Sequence, residues 1–167
     1  MESSKDISLC HPYLQQKWPL VLDLYKKIMR KDLFITCAYR SVEEQARLYA
    51  QGRSTPGDIV TKIDGVTKMG LHNFTTQDGN PCALALDVCV SRIPIEIKIM
   101  PTWDEELYYP LGYIAEQVGL IWGGDWKDFS GKSHNDSLPH GDLPHLQVPF
   151  RIEEPSRASG FALPEAM

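Results

Sequence analysis

The order of helix-like and strand-like segments constrains the fold most. Apolar residues recur at helical spacing over 14–29, whereas 33–39 and 83–90 are compact β-prone runs typical of buried strands. A second helical period covers 104–118, and a short strand is predicted at 145–149. Because strand and helix do not alternate as they do in βαβ units, the pattern favours an α+β fold over a doubly wound sheet.

Local signals place further boundaries. Ser41 and Glu44 form a capping-box pattern that predicts a helix starting at 41 and ending before Gly52. Residues 53–82 are rich in Gly, Pro, Thr and Asp, which predicts loops with at most one short strand. We expect one folded domain over 1–150 and a C-terminal tail over 151–167.

Charge and hydropathy argue against two classes of protein. The net charge of −5 and the lack of a dense basic cluster argue against binding nucleic acid. No run approaches the 18 or so apolar residues of a membrane span, and the N-terminus lacks the charged-then-apolar order of a secretory signal. We therefore expect a protein without membrane insertion that stays in the cytoplasm unless another system releases it. The four cysteines form no CxxC pair and are expected to be free thiols: Cys10, Cys37, Cys82 and Cys89.

Three short segments carry candidate metal ligands. His72 lies in a loop, Asp87 ends the apolar part of a predicted strand, and His145 begins the last predicted strand. Two imidazoles and one carboxylate match the donors of a catalytic zinc site, which uses three protein ligands and leaves a fourth position for water. Taken alone, each has an ordinary interpretation, since Asp87 could cap a turn and His72 could be a surface loop residue.

Four more residues are candidates for catalysis or substrate binding. Asp142 lies three residues before His145, so it can approach a metal-bound water without binding the metal, or it is an ordinary turn aspartate. Arg40 lies between a buried strand and a helix N-cap, where its guanidinium can face a cleft or form a structural salt bridge. Gln45 could reach the same cleft or be a solvated helix residue. Trp122 could line a peptide groove with Trp126, or belong to the core.

These segments together resemble a known family. The matching blocks are Tyr39-Arg40-Ser41 with Gln45 and 48–53, His72 with Ala85-Leu86-Asp87, Trp122 to Trp126, and Asp142 to Gln147. In this order, over about 11–148, they resemble the D-Ala-D-Ala carboxypeptidase/L-alanyl-D-glutamate peptidase family of zinc metallopeptidases from bacteria and phages. The resemblance implies a small single α+β domain with a mainly antiparallel central sheet packed with helices, as in D,D-peptidases and hedgehog-like proteins.

The resemblance also implies roles and an activity. It makes His72, Asp87 and His145 the Zn²⁺ ligands and Asp142 the catalytic base. Arg40 would stabilise the reacting carbonyl and bind substrate, with Gln45 and Trp122 also binding substrate. The implied activity is zinc-dependent cleavage of peptidoglycan stem peptides by a monomer, as an endolysin-like L-alanyl-D-glutamate endopeptidase of phage or prophage origin. Two alternatives are a D-Ala-D-Ala carboxypeptidase or dipeptidase and a non-catalytic, metal-stabilised wall-binding module.

The chain departs from the family pattern in several places. Gly70 replaces a Ser or Thr two residues before His72, and Ala83 replaces a glycine. The spacing from His72 to Asp87 is longer than in the short form of the motif, and the excess at about 75–81 predicts a polar hairpin or loop. A second insertion spans 130–141 and contains a rival ligand, His140; His145 is preferred because Asp142 precedes it by three residues. His11 and His134 are expected at the surface, with His11 in a helix-entry turn.

Overall fold

The computed structural model describes residues 3–126 and 141–149. Most of the predicted insertion at 130–141, with His134 and His140, and the predicted tail at 151–167 lie outside these residues, so those calls stay predictions. Within the described part, the helices are α1 (Pro12–Met29), α2 (Val42–Ala50) and α3 (Tyr109–Val118), and the strands are β1 (Asp32–Cys37), β2 (Ala85–Ser91), β3 (Pro101–Thr102), β4 (Ile121–Trp122) and β5 (His145–Gln147).

The strands form one antiparallel sheet in the order β1-β2-β5-β4, with β3 paired to β2. β5 comes last along the chain but lies between β2 and β4. This arrangement confirms the α+β prediction with a mainly antiparallel sheet. No helix of the described residues is both long and apolar enough to cross a membrane.

A β-bulge interrupts β1 next to its C-terminal end. Ile35 pairs with Val88, but the next pair along the ladder is Cys37 with Asp87, so β1 carries one extra residue there. Side chains alternate between the faces of a strand, so a one-residue slip moves every following side chain to the opposite face. The bulge therefore brings Cys37, rather than Thr36, to the side of the sheet on which Asp87 lies.

The two faces of the sheet differ in chemistry. The core face consists of Leu86, Val88 and Val90 of β2 with Leu146 of β5, all 0% exposed and packed in one apolar cluster with residues of α1 and α3. Burying each such side chain stabilises the fold by roughly 1.5–3 kcal/mol. The alternate residues form the site face, which consists of Cys37, Ala85, Asp87, His145 and Gln147.

The helix ends are close to the predicted positions. The imidazole of His11 caps α1 by accepting a hydrogen bond from Tyr13 N at 3.1 Å, which confirms the helix-entry turn. The surface prediction for His11 is wrong, because the side chain is buried as it folds back over the helix start. Ser41 caps α2 through Glu44 N at 3.2 Å, but the Glu44 carboxylate pairs with Arg47 and does not complete the capping box.

Candidate metal centre

Asp87 lies at the centre of the site because its strand is flanked on both sides. It pairs with Cys37 of β1 across one edge of β2 and with His145 of β5 across the other. His72 comes from a 3₁₀ turn, Leu71–Asn73. This turn is attached to the sheet by Leu84 N donating to Leu71 O at 2.7 Å and Arg40 N donating to His72 O at 2.8 Å. The structure thus brings together the three residues predicted as metal ligands.

Their donor atoms converge on a small volume. His72 Nε2 is 3.1 Å from Asp87 Oδ1, and His145 Nδ1 is 3.0 Å from the same oxygen. The two imidazole rings are nearly perpendicular, with centroids 5.3 Å apart. Tetrahedral zinc with bonds of ~2.0–2.1 Å separates its ligand atoms by roughly 3.3 Å. The types of donor atom, and the distance of each imidazole nitrogen from Asp87 Oδ1, therefore fit a metal ion of this type.

A second contact orients each imidazole. His72 Nδ1 is 3.0 Å from the carbonyl oxygen of Ala38, and His145 Nε2 is 3.3 Å from Gln147 Oε1. Both partners are oxygen acceptors, so these ring nitrogens carry the hydrogens. His72 Nε2 and His145 Nδ1 are the nitrogens left to face Asp87. Metal-binding histidines usually donate their other N–H to an oxygen in this way.

The charges in this cluster shift the pKa values of Asp87 and His72 strongly. Burial alone would raise the pKa of Asp87, but the positive charge of His72 and the hydrogen bonds of both imidazoles hold it well below its usual range. Burial opposes a charge on His72, yet the Asp87 carboxylate raises the pKa of His72 to about 10. These buried groups thus favour an arrangement with positive charge beside Asp87. A metal cation would supply that charge and displace the ring proton.

Asp142 lies next to this cluster. Its carboxylate falls within 4.8 Å of the donor atoms of Asp87 and His145. A tight backbone turn holds it there, with Asp142 N donating to Gly123 O at 3.0 Å and His145 N donating to Asp142 O at 3.1 Å. Gly123 is required at this approach, since a Cβ there would lie 2.5 Å from Asp142 O.

The surroundings of Asp142 suit proton transfer. The residue is exposed at its outer side, but loss of water around the carboxylate raises its pKa. The negative charge of Asp87 raises this pKa further, while His145 opposes the shift. A carboxylate whose pKa moves toward neutral pH becomes a better general base and acid.

Arg40 and Gln45 form a supporting layer behind Asp87. Arg40 donates from one guanidinium nitrogen to Asp87 Oδ2 at 3.1 Å and from the other to Gln45 Oε1 at 3.5 Å. Gln45 is 2% exposed, and its amide nitrogen donates to Ile63 O at 2.8 Å and Thr61 Oγ1 at 3.1 Å. These contacts favour a positioning role for Gln45. Direct contact of either residue with substrate stays a prediction.

Two known endopeptidases are similar to the chain. Peptidoglycan L-alanyl-D-glutamate endopeptidase CwlK of Bacillus subtilis (strain 168) is 27% identical over an alignment that covers 80% of this chain and 90% of CwlK. The L-Ala D-Glu endopeptidase ChiX of Serratia marcescens has a similar fold, with a TM-score of 0.52 and 17% identity over 87% of this chain and 85% of ChiX. No protein-family model matches the chain. The likeness to CwlK agrees with the blocks quoted above. The comparison supports the resemblance of these blocks to the D-Ala-D-Ala carboxypeptidase/L-alanyl-D-glutamate peptidase family.

The hydroxyl that the family pattern has before His72 is replaced here by a backbone N–H and the side chain of Asn73. Gly70 has no side chain to offer, and its N–H instead donates to the side-chain oxygen of Asn73. Asn73 is 0% exposed and also donates to Gly65 O at 3.3 Å, so it ties the His72 turn to the preceding loop. The predicted hairpin in the long spacer is confirmed by a bridge between Thr75 and Pro81.

The structure places Trp122 in the core. Its side chain is 8% exposed and its Nε1–H donates to Leu143 O at 2.7 Å. A Cβ on Gly112 or Gly124 would lie 2.4 or 2.3 Å from its ring, so both glycines are needed for this packing. Trp122 thereby fixes the segment that carries Asp142. A direct role in substrate binding stays a prediction, while Trp126 has its ring centroid 4.6 Å from that of His145.

Sequence reasoning missed two side chains of the site. Gln147 follows His145 by two residues and therefore shares its face, a signal that strand periodicity already contains. The sequence predicts only a free thiol at Cys37, but its sulfur lies 3.6 Å from His72 Nδ1. The bulge that turns it to this face has no signature in the sequence. All four cysteines are free thiols, as predicted.

Proposed function

We propose that the chain is a zinc-dependent endopeptidase that cleaves the L-alanyl-D-glutamate bond of peptidoglycan stem peptides. The observation that carries the proposal is the convergence of His72, Asp87 and His145 on one point with the Asp142 carboxylate beside it. The choice of the L-alanyl-D-glutamate bond as the bond that is cleaved follows the names of CwlK and ChiX. An endolysin-like role for a protein of phage or prophage origin, acting as a monomer after release from the cytoplasm, is part of the same proposal.

His72 Nε2, His145 Nδ1 and one oxygen of Asp87 would hold the zinc. When bound, zinc supplies Lewis-acid chemistry, polarising a carbonyl and lowering the pKa of a water molecule to about 7. Ala38 and Gln147 keep the imidazoles oriented by accepting their other N–H groups. Arg40 keeps Asp87 in place through its second oxygen.

The protein's own part in the reaction is proton transfer and orientation. Asp142 accepts a proton from the water whose oxygen bonds to the peptide carbonyl carbon. It then donates that proton to the amine nitrogen as the C–N bond breaks. Arg40 would bind a substrate carbonyl or carboxylate through the accessible part of its guanidinium, since its side chain is 20% exposed.

The test uses purified protein and a defined muropeptide, with products identified by mass spectrometry. We expect a fragment ending in L-Ala, loss of cleavage with a chelator, and recovery with zinc. His72→Ala should lose both zinc and cleavage, whereas Asp142→Asn should lose cleavage alone. Release of free D-Ala would favour a carboxypeptidase. Stoichiometric zinc without any cleavage would favour a wall-binding module.

A further inference from the structure

The β1 bulge brings two acceptors to the same nitrogen of His72. The carbonyl oxygen of Ala38 lies 3.0 Å from Nδ1, and the sulfur of Cys37 lies 3.6 Å from it. A carbonyl oxygen only accepts, so Nδ1 carries the hydrogen. That hydrogen therefore faces two acceptors from consecutive residues, one oxygen and one sulfur.

We propose that Cys37 is a positioning residue, which with Ala38 O fixes the tautomer and ring plane of His72 so that Nε2 points at the metal. This inference rests on the proposed function and deepens it. Cys37 is not assigned as a metal ligand, because it lies at the Nδ1 edge of the ring while Nε2 faces Asp87.

The backbone supports this assignment. Without the extra residue in β1, Thr36 would lie opposite Asp87 and the Cys37 side chain would point to the core face. Bulges recur beside active sites, where they re-aim a side chain at the cost of an unpaired ladder position. The thiol is 5% exposed. A serine hydroxyl on the same Cβ would lie farther from the ring, because a C–O bond is shorter than a C–S bond, and would make a weaker contact.

Cys89 provides a matched control. It is another buried thiol of the same sheet, 0% exposed and two residues after Asp87 in β2. Its sulfur contacts Tyr108 Oη and Thr102 O at 3.5 Å each. Cys89→Ala therefore removes the same atoms from an equally buried position without touching His72.

The first measurement is zinc affinity, by competition with a chelating dye, for the wild type, Cys37→Ala, Cys37→Ser and Cys89→Ala. Loss of a contact that orients a metal-binding histidine typically costs about 10–100-fold in affinity. Because Ala38 O remains, we expect about tenfold for Cys37→Ala. We expect partial recovery with serine and no change for Cys89→Ala, whatever each variant does to thermal stability.

The second measurement is the ¹H–¹⁵N NMR signal of the His72 Nδ1–H in metal-free protein. We expect it to shift in Cys37→Ala and stay in place in Cys89→Ala. Unchanged zinc affinity with an unchanged signal would overturn the positioning role. A cadmium–thiolate absorbance in the wild type that is lost in Cys37→Ala would make Cys37 a ligand and also overturn it. Should the wild type bind no zinc while the signal still shifts, the proposed function fails and the positioning role stands.

Discussion

The core face and the site face of β2 and β5 are built from alternate residues of the same two strands. Leu86 and Leu146 of the core face are 0% exposed among apolar neighbours. Asp87 and His145, each adjacent in sequence to one of them, are also largely shielded but find their partners in each other and in His72. Burial thus stabilises the fold on one face, whereas on the other it strengthens interactions between charges.

The difference predicts that the two faces contribute unequally to stability. Removing charged groups from water costs several kcal/mol per ion, and mutual attraction often does no more than offset that cost. The fold therefore depends mainly on the core face, and the site face keeps a costly cluster that chemistry requires. Substitutions on the two faces should separate stability from activity.

The largest expected effect concerns Asp142, at the edge of the site face. Asp142→Asn removes the proton acceptor but keeps the size of the side chain. We expect peptide cleavage to fall by roughly 10²–10⁴-fold, the usual contribution of general acid–base catalysis. Zinc content and thermal unfolding should match the wild type. A variant that loses zinc as well would place Asp142 among the metal ligands.

On the core face, Leu146→Ala should act on stability instead. Leu146 lies between His145 and Gln147 in sequence, but its side chain is on the opposite face of the sheet, where it is fully buried. We expect the free energy of unfolding to drop by about 2–5 kcal/mol, measured with urea. The folded fraction should bind zinc with wild-type affinity. A large loss of affinity in folded protein would show that the two faces are coupled.

Gln147→Leu is a substitution on the site face with a smaller expected effect. The variant keeps the bulk of the side chain but removes the oxygen that accepts from His145 Nε2. We expect zinc affinity to weaken by about tenfold, with little change in urea midpoint. Gln147→Glu, which retains an acceptor, is the matched control. Equal affinity of the leucine and wild-type proteins would remove Gln147 from the site.

The smallest effect is expected away from both clusters, at the start of β1. There the Lys26 ammonium and the Ile95 N–H lower the pKa of Asp32, although burial opposes them. A carboxyl with a depressed folded-state pKa contributes stability above its unfolded value of about 3.9 and loses that contribution as pH falls through the lower value. Lys26 is half exposed, so the pair contributes about 0–1 kcal/mol.

Unfolding of the wild type and Asp32→Asn should be compared from neutral to strongly acidic pH. We expect the wild type to be slightly more stable near neutral pH and the two curves to converge in acid. A difference in stability between the two proteins that grows as pH falls would have the wrong sign for this ion pair. High salt should narrow the difference at neutral pH, since exposed charges are screened.

Much of the fold was predictable because its signals are local. The spacing of Leu14, Trp18 and Val21 predicted α1, and the predicted end of the third helix at 118 is confirmed, because Gly119, with φ of 80°, ends α3. The predicted helix over 104–118 was too long at its start, where a 3₁₀ turn, Glu105–Leu107, precedes α3. Strand order was not predictable, because nothing local in β5 indicates that it pairs with β2 on one side and β4 on the other.

The candidate site was predictable where its residues belong to motifs that can be recognised in the sequence. His72, Asp87, His145 and Asp142 were identified from their motifs, and the structure brings them together. Backbone contributions were not predictable, since the carbonyl of Ala38 looks like any other carbonyl in a sequence. The ion pair between Arg40 and Asp87 was one of two interpretations left open, and only the folded structure shows that it forms.

The position of β5 also determines when the sheet can be completed during synthesis. During synthesis β1, β2 and β3 leave the ribosome well before β5, so Ala85, Leu86 and Asp87 have no neighbour on one edge of β2 until β5 arrives. An unpaired edge of apolar residues invites association with other chains. The same late strand delivers His145, so the chain cannot assemble the full metal site before it has closed the sheet. If the proposed function holds, a partly synthesised chain therefore lacks one of the three candidate ligands and is expected to be inactive.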